Sequence, residues 1–243
     1  MHPTWQKTKP DLPEDKHFGW AFFSSGEQES FVGPSGYGSF APSECTVDPN
    51  VGAKFIRDLY ERSDDKFFKY TVPVLWDKQT STIVNNESSE IVRMLTKEFD
   101  AFATGPFAHL DLYPESLRGE IDAVNEWVYS GINDGVYKCG FAKSQAAYDE
   151  SVTQLFASLD RVEEALSTSR YLVTSSPAPI TEADIRLFMT LVRFDEVYVV
   201  YFKCNVKRMV DYPNIRNYMR DLYQLPGVKE SVNMEHIKMH YFT

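Results

Sequence analysis

Long apolar runs are missing from this 243-residue sequence; none approaches the length that spans a bilayer. Positive charge is also short: 25 Lys and Arg stand against 35 Asp and Glu, for a formal net charge of -10. That balance disfavours a phosphate-backbone groove or an anchor on an anionic membrane, so neither nucleic acid nor membrane is an expected partner. Cysteine is sparse. Cys45, Cys139 and Cys204 have neither the density of a disulfide framework nor the spacing of a zinc site, and no metal site is expected. No Cys-Pro dipeptide occurs, and no internal repeat. The opening Met1-His2-Pro3-Thr4-Trp5 is polar and aromatic, without the apolar core of a secretory signal. The cytosol is the expected compartment.

What is present suits a folded chain. A hydrophobic content of 43% supports a sizeable core in one or two domains. Residues 1–50 are rich in Gly, Pro, Ser and aromatics, and Phe31-Val32-Gly33-Pro34-Ser35-Gly36-Tyr37-Gly38-Ser39 reads as a turn-dense loop. Phe55, Ile56 and Leu59 recur at helical spacing and predict a helix over 51–62. After the second hairpin strand the pattern is helical to the end. Leu117, Ile121, Val124, Trp127 and Val128 form one apolar face; Tyr148, Val152, Leu155, Phe156, Leu159, Val162 and Leu166 form a longer one. Thr181 followed by Asp184 is a capping-box arrangement that opens another helix, with a folding role only. Pro213 begins a further helix, and Leu225-Pro226-Gly227 stops it. The boundary between domains falls in the connector 101–114.

One stretch carries chemistry. Tyr70-Thr71-Val72-Pro73-Val74-Leu75-Trp76-Asp77 reads as a strand interrupted by proline. Thr82-Ile83-Val84 is its hairpin partner, and a helix over 89–99 follows Glu87-Ser88. A strand proline implies an edge, a bulge or a cis bond. In the cis case the Val72 N–H and C=O face outward, ready for an extended peptide. A helix start attracts a carboxylate through its free N–H groups and its dipole, and Glu87 offers a charge for an ammonium. Together these suit a γ-glutamyl tripeptide. The same residues equally fit a plain edge-strand proline followed by an ordinary cap, and the pattern alone leaves both readings open.

Segments 70–77, 83–94, 111–118, 135–145, 182–195, 202–205, 211–227 and 236–241 resemble the glutathionyl-hydroquinone reductases, the Xi-type and omega-related branch of the glutathione transferases. The resemblance implies an α+β glutathione-transferase fold. Residues 1–107 would be an incomplete thioredoxin-like glutathione-binding domain, and 108–243 an all-helical domain. It implies glutathione as co-substrate and glutathionyl-hydroquinones or related phenolic adducts as substrates, with a homodimer left open. Trp20, Lys69, Val72, Glu87 and Ser88 would bind glutathione; Tyr137, Tyr198 and Tyr241 would surround a small aromatic acceptor.

Three departures from the family pattern matter. Lys69 stands where the family has Arg, which exchanges a bidentate fork for a point charge. Tyr201 stands where it usually has His. The family's Cys-Pro-x-x motif, whose thiolate forms the mixed disulfide, has no counterpart. The first strand, first helix and most of the second strand are therefore expected to be missing. The catalytic residue stays unassigned; Cys139, close to Tyr137, is the cysteine to watch. Alternatives to an active enzyme are a non-catalytic glutathione- or phenol-binding paralogue and an incomplete gene product.

Overall fold

The computed structural model describes the chain except residues 1, 25, 27–29, 35, 37, 40, 42–44, 66–68, 106, 174–179 and 243, and the side chains of 2–4. Ser35 and Tyr37 of the turn-dense loop lie outside the described residues. The chain forms two compact units, residues 1–103 with 235–243, and residues 104–234. The sequence reading puts residues 235–243 with the helical domain; in the structure they group with the first unit. Among the described residues no helix is long and apolar enough to cross a membrane.

The first unit contains two separate two-stranded antiparallel sheets among its described residues. Strand β1 (His2–Lys7) pairs with β2 (Phe18–Ala21), placing Gln6 opposite Gly19 and Lys7 opposite Phe18. Helix α1 (Ile56–Arg62) packs beside them, held by Arg57. The Arg57 guanidinium reaches Asp15 at 2.6 Å and Glu61 at 2.8 Å, and donates to Thr8 Oγ1 at 3.2 Å. Lys9 also meets Glu61, at 2.6 Å. Behind this polar seam lies a core of Ile56, Leu59, Tyr60 and Tyr70, against which Trp20, Val72, Val74, Trp76 and Ile83 pack.

Helix α1 starts at Ile56, later than its apolar spacing predicts, because side-chain oxygens claim the preceding amides. Asp48 accepts from Asn50, Val51 and Ala53, and Asp58 accepts from Lys54 and Phe55, so 48–55 is a tight turn. The second hairpin joins β3 (Leu75–Asp77) to β4 (Thr82–Asn85). Asp77 closes its turn by accepting from the Gln79 amide at 2.8 Å and the Thr80 hydroxyl at 2.6 Å. Strand β3 does not extend back to Tyr70. The Thr71 amide turns back to the Lys69 carbonyl at 2.9 Å, and Pro73 has no N–H to give a ladder. The Val72–Pro73 bond is cis. Helix α2 (Ser88–Lys97) follows, one residue earlier at its start and two shorter at its end than the predicted 89–99.

Among its described residues the regular elements of the second unit are all helices. Helix α3 (Arg118–Val128) continues through a π-helical turn (Tyr129–Asn133) into α4 (Gly135–Gly140). Ser144 caps α5 (Gln145–Thr168) by accepting from the Ala147 amide. At the start of α6 (Glu182–Arg193) the Thr181 and Asp184 box is formed. Fully buried Asp184 also accepts from the Leu172 amide at 3.0 Å and the Tyr218 hydroxyl at 2.9 Å, which ties α6 to α7 (Pro213–Tyr223). Glu163 of α5 caps α7, its two oxygens each 2.9 Å from the Asn214 and Ile215 amides. The short α8 (Val228–Ser231) begins after Gly227, whose φ of 85° is a left-handed value suited to glycine. Helix α9 (Met234–Phe242) returns to the first unit.

Candidate functional site

The sequence-predicted glutathione residues lie in the first unit, and a hydroxyl from the core organises the nearest of them. Tyr60, buried on α1, donates to the Thr71 carbonyl at 2.8 Å. The Asn86 amide donates to the same hydroxyl at 3.0 Å and lies 3.4 Å from Thr71 Oγ1. Thr71 precedes Val72, and Asn86 precedes Glu87. The network therefore fixes the Val72 segment beside the start of α2. The Val72 N–H and C=O make no hydrogen bond with any described residue. A half-buried backbone pair left open in this way is a ready partner for an extended peptide.

The α2 end is open as well. Its N-cap residue, Glu87, makes no side-chain cap, and the Ser88 hydroxyl has no partner among the described residues. The Glu87 amide is already engaged, donating to Asn85 Oδ1 at 2.7 Å. The first-turn amides and the dipole leave an anion-attracting end, next to one exposed carboxylate that suits an ammonium. Lys69 is exposed two residues from Thr71 and makes no ion pair with a described residue. Trp20 packs on the same core cluster as Val72, and its ring stacks on His240 of α9. A cavity of about 370 Å³ opens beside Val72 and Pro73, walled by Phe22, Ile56, Val74 and Trp76.

The tyrosines expected to surround an acceptor divide. Tyr137 and Tyr198 meet in the second unit at a centroid distance of 6.1 Å, whereas Tyr241 lies on α9 in the first, 5.2 Å from the His240 ring. Phe202 holds the Tyr137 and Tyr198 pair together, 5.2 Å from Tyr137 and stacked on Tyr198 at 5.5 Å. Gly140 permits this, because a Cβ there would overlap the Phe202 ring. Tyr198 is only 2% exposed, whereas Tyr137 is half-buried and presents the more open face. A cavity of about 450 Å³ adjoins the cluster, lined by Cys139, Tyr148, Tyr201, Phe202 and Lys203.

All three cysteines are buried. Cys139 and Cys204 share a hydrogen bond that lowers the Cys139 thiol and, with burial, drives the Cys204 thiol far up. Burial raises the neighbouring Tyr148 phenol. None of the three thiols stands at a helix start ahead of a proline. Among the described residues no group of three His, Cys, Asp or Glu side chains is placed to hold a metal ion. Sequence reasoning misses Tyr60 and Asn86, since their roles arise from contacts across the fold. It also misses the contact of His240 with Trp20; no local pattern marks any of these.

Residues 145–221 match the glutathione S-transferase C-terminal domain family. The chain is 46% identical over 225 residues to the glutathionyl-hydroquinone reductase YqjG of Escherichia coli K12, covering 92% of this chain and 62% of that protein. It is 41% identical over 216 residues to the glutathione S-transferase omega-like 2 of Schizosaccharomyces pombe, covering 86% and 68%. The glutathione-bound structure of YqjG from Escherichia coli K-12 superimposes with a TM-score of 0.81 at 43% identity, over 99% of this chain and 68% of that one. The chain thus spans somewhat under two thirds of the length of the reductase relative, and it adopts the glutathione-transferase fold. It belongs to the glutathione transferase family, in the Xi-class, omega-like branch that includes the glutathionyl-hydroquinone reductases.

Proposed function

We propose that this chain is a glutathione-dependent transferase or reductase acting on glutathionyl-hydroquinones or related phenolic adducts. The observation that carries this reading is the open Val72 backbone pair held beside the uncapped start of α2 by Tyr60, Thr71 and Asn86. In this reading Val72 pairs with the cysteinyl backbone of glutathione. Ser88 and the first-turn amides take the γ-glutamyl carboxylate, and Glu87 takes its ammonium. Lys69 meets the other carboxylate as a point charge, and Trp20 covers the peptide. In the helical unit Tyr137, backed by buried Tyr198, offers the flat aromatic acceptor a ring face and a hydroxyl. Tyr201 lines the cavity beside Phe202 and supplies no imidazole for proton transfer.

The reaction is a reductive removal of glutathione. The aryl carbon–sulfur bond breaks and the carbon takes a proton. The released sulfur joins the sulfur of a second glutathione, which gives up its thiol proton, as a disulfide; the ring gains two electrons, and the thioether sulfur and the thiol sulfur lose one each. The cytosol, with its glutathione pool, is the assigned compartment. A second reading, a non-catalytic binder of glutathione and phenols, is favoured by one observation: the three thiols are buried and none precedes a proline. Incubating the purified chain with glutathionyl-menadione and glutathione separates the two. Equal yields of menadione and glutathione disulfide are expected from the enzyme; retained glutathione binding without either product selects the binder.

A further inference from the structure

A cavity of about 560 Å³ in the helical unit plays no part in the site above. Its walls are Phe188 and Val192 of α6, Met209 and Val210 of the turn after it, and Met219 of α7. The volume lies within the range of small-molecule sites, and the lining is mainly apolar, as such sites are. Two cations break the apolar wall. Arg216 and Arg220 are one turn apart on the same face of α7.

Arg216 is the anomaly. Its Nε is buried and has no hydrogen-bond partner, and its guanidinium makes no ion pair with any described residue. Arg220 is exposed and likewise makes no ion pair with a described residue. Arg170 of the same unit, by contrast, holds Asp221 through two bonds of 2.8 Å. The acid lining the cavity is Asp195, and its Oδ1 accepts from the Met209 amide at 2.7 Å. A buried donor without a partner costs stability, and a planar fork of donors is shaped for a carboxylate. With two arginines against one engaged acid, the cavity has a net positive wall.

We infer that this cavity binds a hydrophobic carboxylate, with an aromatic or alkyl body against Phe188, Val192 and Met219 and its carboxylate on Arg216, assisted by Arg220. The site is separate from the glutathione and acceptor residues, so its test does not depend on the proposed reaction.

Titration calorimetry with 2-naphthoate is the direct test, with 2-naphthalenemethanol as the neutral isostere. The wild-type chain should bind naphthoate at least about tenfold more tightly than the alcohol, the discrimination expected of a charge-assisted pair. Arg216→Met should abolish that preference, and Arg220→Gln should weaken it. Val192→Trp, which fills the cavity and leaves both arginines in place, should block both ligands. Glutathione titration of each variant checks that the fold and the other site persist. Equal binding of acid and alcohol by the wild type would overturn the proposal. So would naphthoate binding that survives both Arg216→Met and Val192→Trp, or self-association of the chain that excludes naphthoate from this face.

Discussion

The rings of Trp20 and His240 stack with centroids 4.7 Å apart and planes 22° apart. Trp5 approaches the same imidazole at 6.0 Å. One histidine of α9 thus sits against an aromatic from each strand of the β1–β2 hairpin. An aromatic pair contributes about 0.5–1.5 kcal/mol beyond its buried area. His240→Ala should therefore loosen α9 from the hairpin by about that amount. Hydrogen exchange should show faster amides over 235–242 with those of α1 unchanged. Unaltered protection of α9 would mean that the stack contributes nothing.

The Tyr60 hydroxyl makes a second testable link. It joins Thr71 to Asn86, and so sets the distance between the open Val72 backbone and the α2 start. Tyr60→Phe keeps the ring in the core but leaves the Asn86 amide without that acceptor. The expected cost is about 1–3 kcal/mol of stability, with a loss of glutathione affinity larger than that of an exposed control such as Lys78→Ala. A variant that is destabilised yet binds glutathione normally would separate the network from the site.

The hairpin and α1 should be acid-labile in two stages. Burial, and then the Arg57 charge, holds His17 below its ordinary value of 6.5. Asp15 is held below 3.8 by the His17 amide and then by Arg57. Burial pushes Glu61 up, but hydrogen bonds from Lys9 and Arg57 outweigh it and leave it below 4.5. In each case the folded-state value is lower than the unfolded one. Each group contributes stability that is complete above its unfolded value and is lost as pH falls through the folded one. Protection of the first unit should start to decline below pH 6.5 and fall more steeply below 4.5. His17→Gln should remove the upper stage alone, as followed by hydrogen exchange between about pH 7 and pH 3. A flat profile in the wild type would contradict the ion-pair account.

Much of this architecture is legible in the chain because the signals are local. The α5 stripe, the Thr181 and Asp184 box and the Pro213 start are read within a few residues, and the structure has all three. The order of hairpin and helix that frames Val72, Glu87 and Ser88 is legible for the same reason. Element starts are less so: Asp48 and Asp58 capture the amides ahead of α1, and the Thr71 turn shortens β3. What fixes the site is not local at all. Tyr60 meets Asn86 across 26 positions, and His240 reaches Trp20 from the far end of the sequence. Tyr241, next to His240 in α9, groups with the first unit, a long-range placement that periodicity does not register.

The central claim is that glutathione binds at the open Val72 backbone and the α2 start. Titration calorimetry of glutathione into the wild-type chain and into Ser88→Ala tests it most directly. Losing a hydrogen bond to a charged group costs roughly 1.5–3 kcal/mol. The account predicts measurable binding by the wild type and an affinity lower by about tenfold or more in Ser88→Ala. Equal affinities would remove Ser88 from the site, and a wild-type chain that binds no glutathione would contradict the account as a whole.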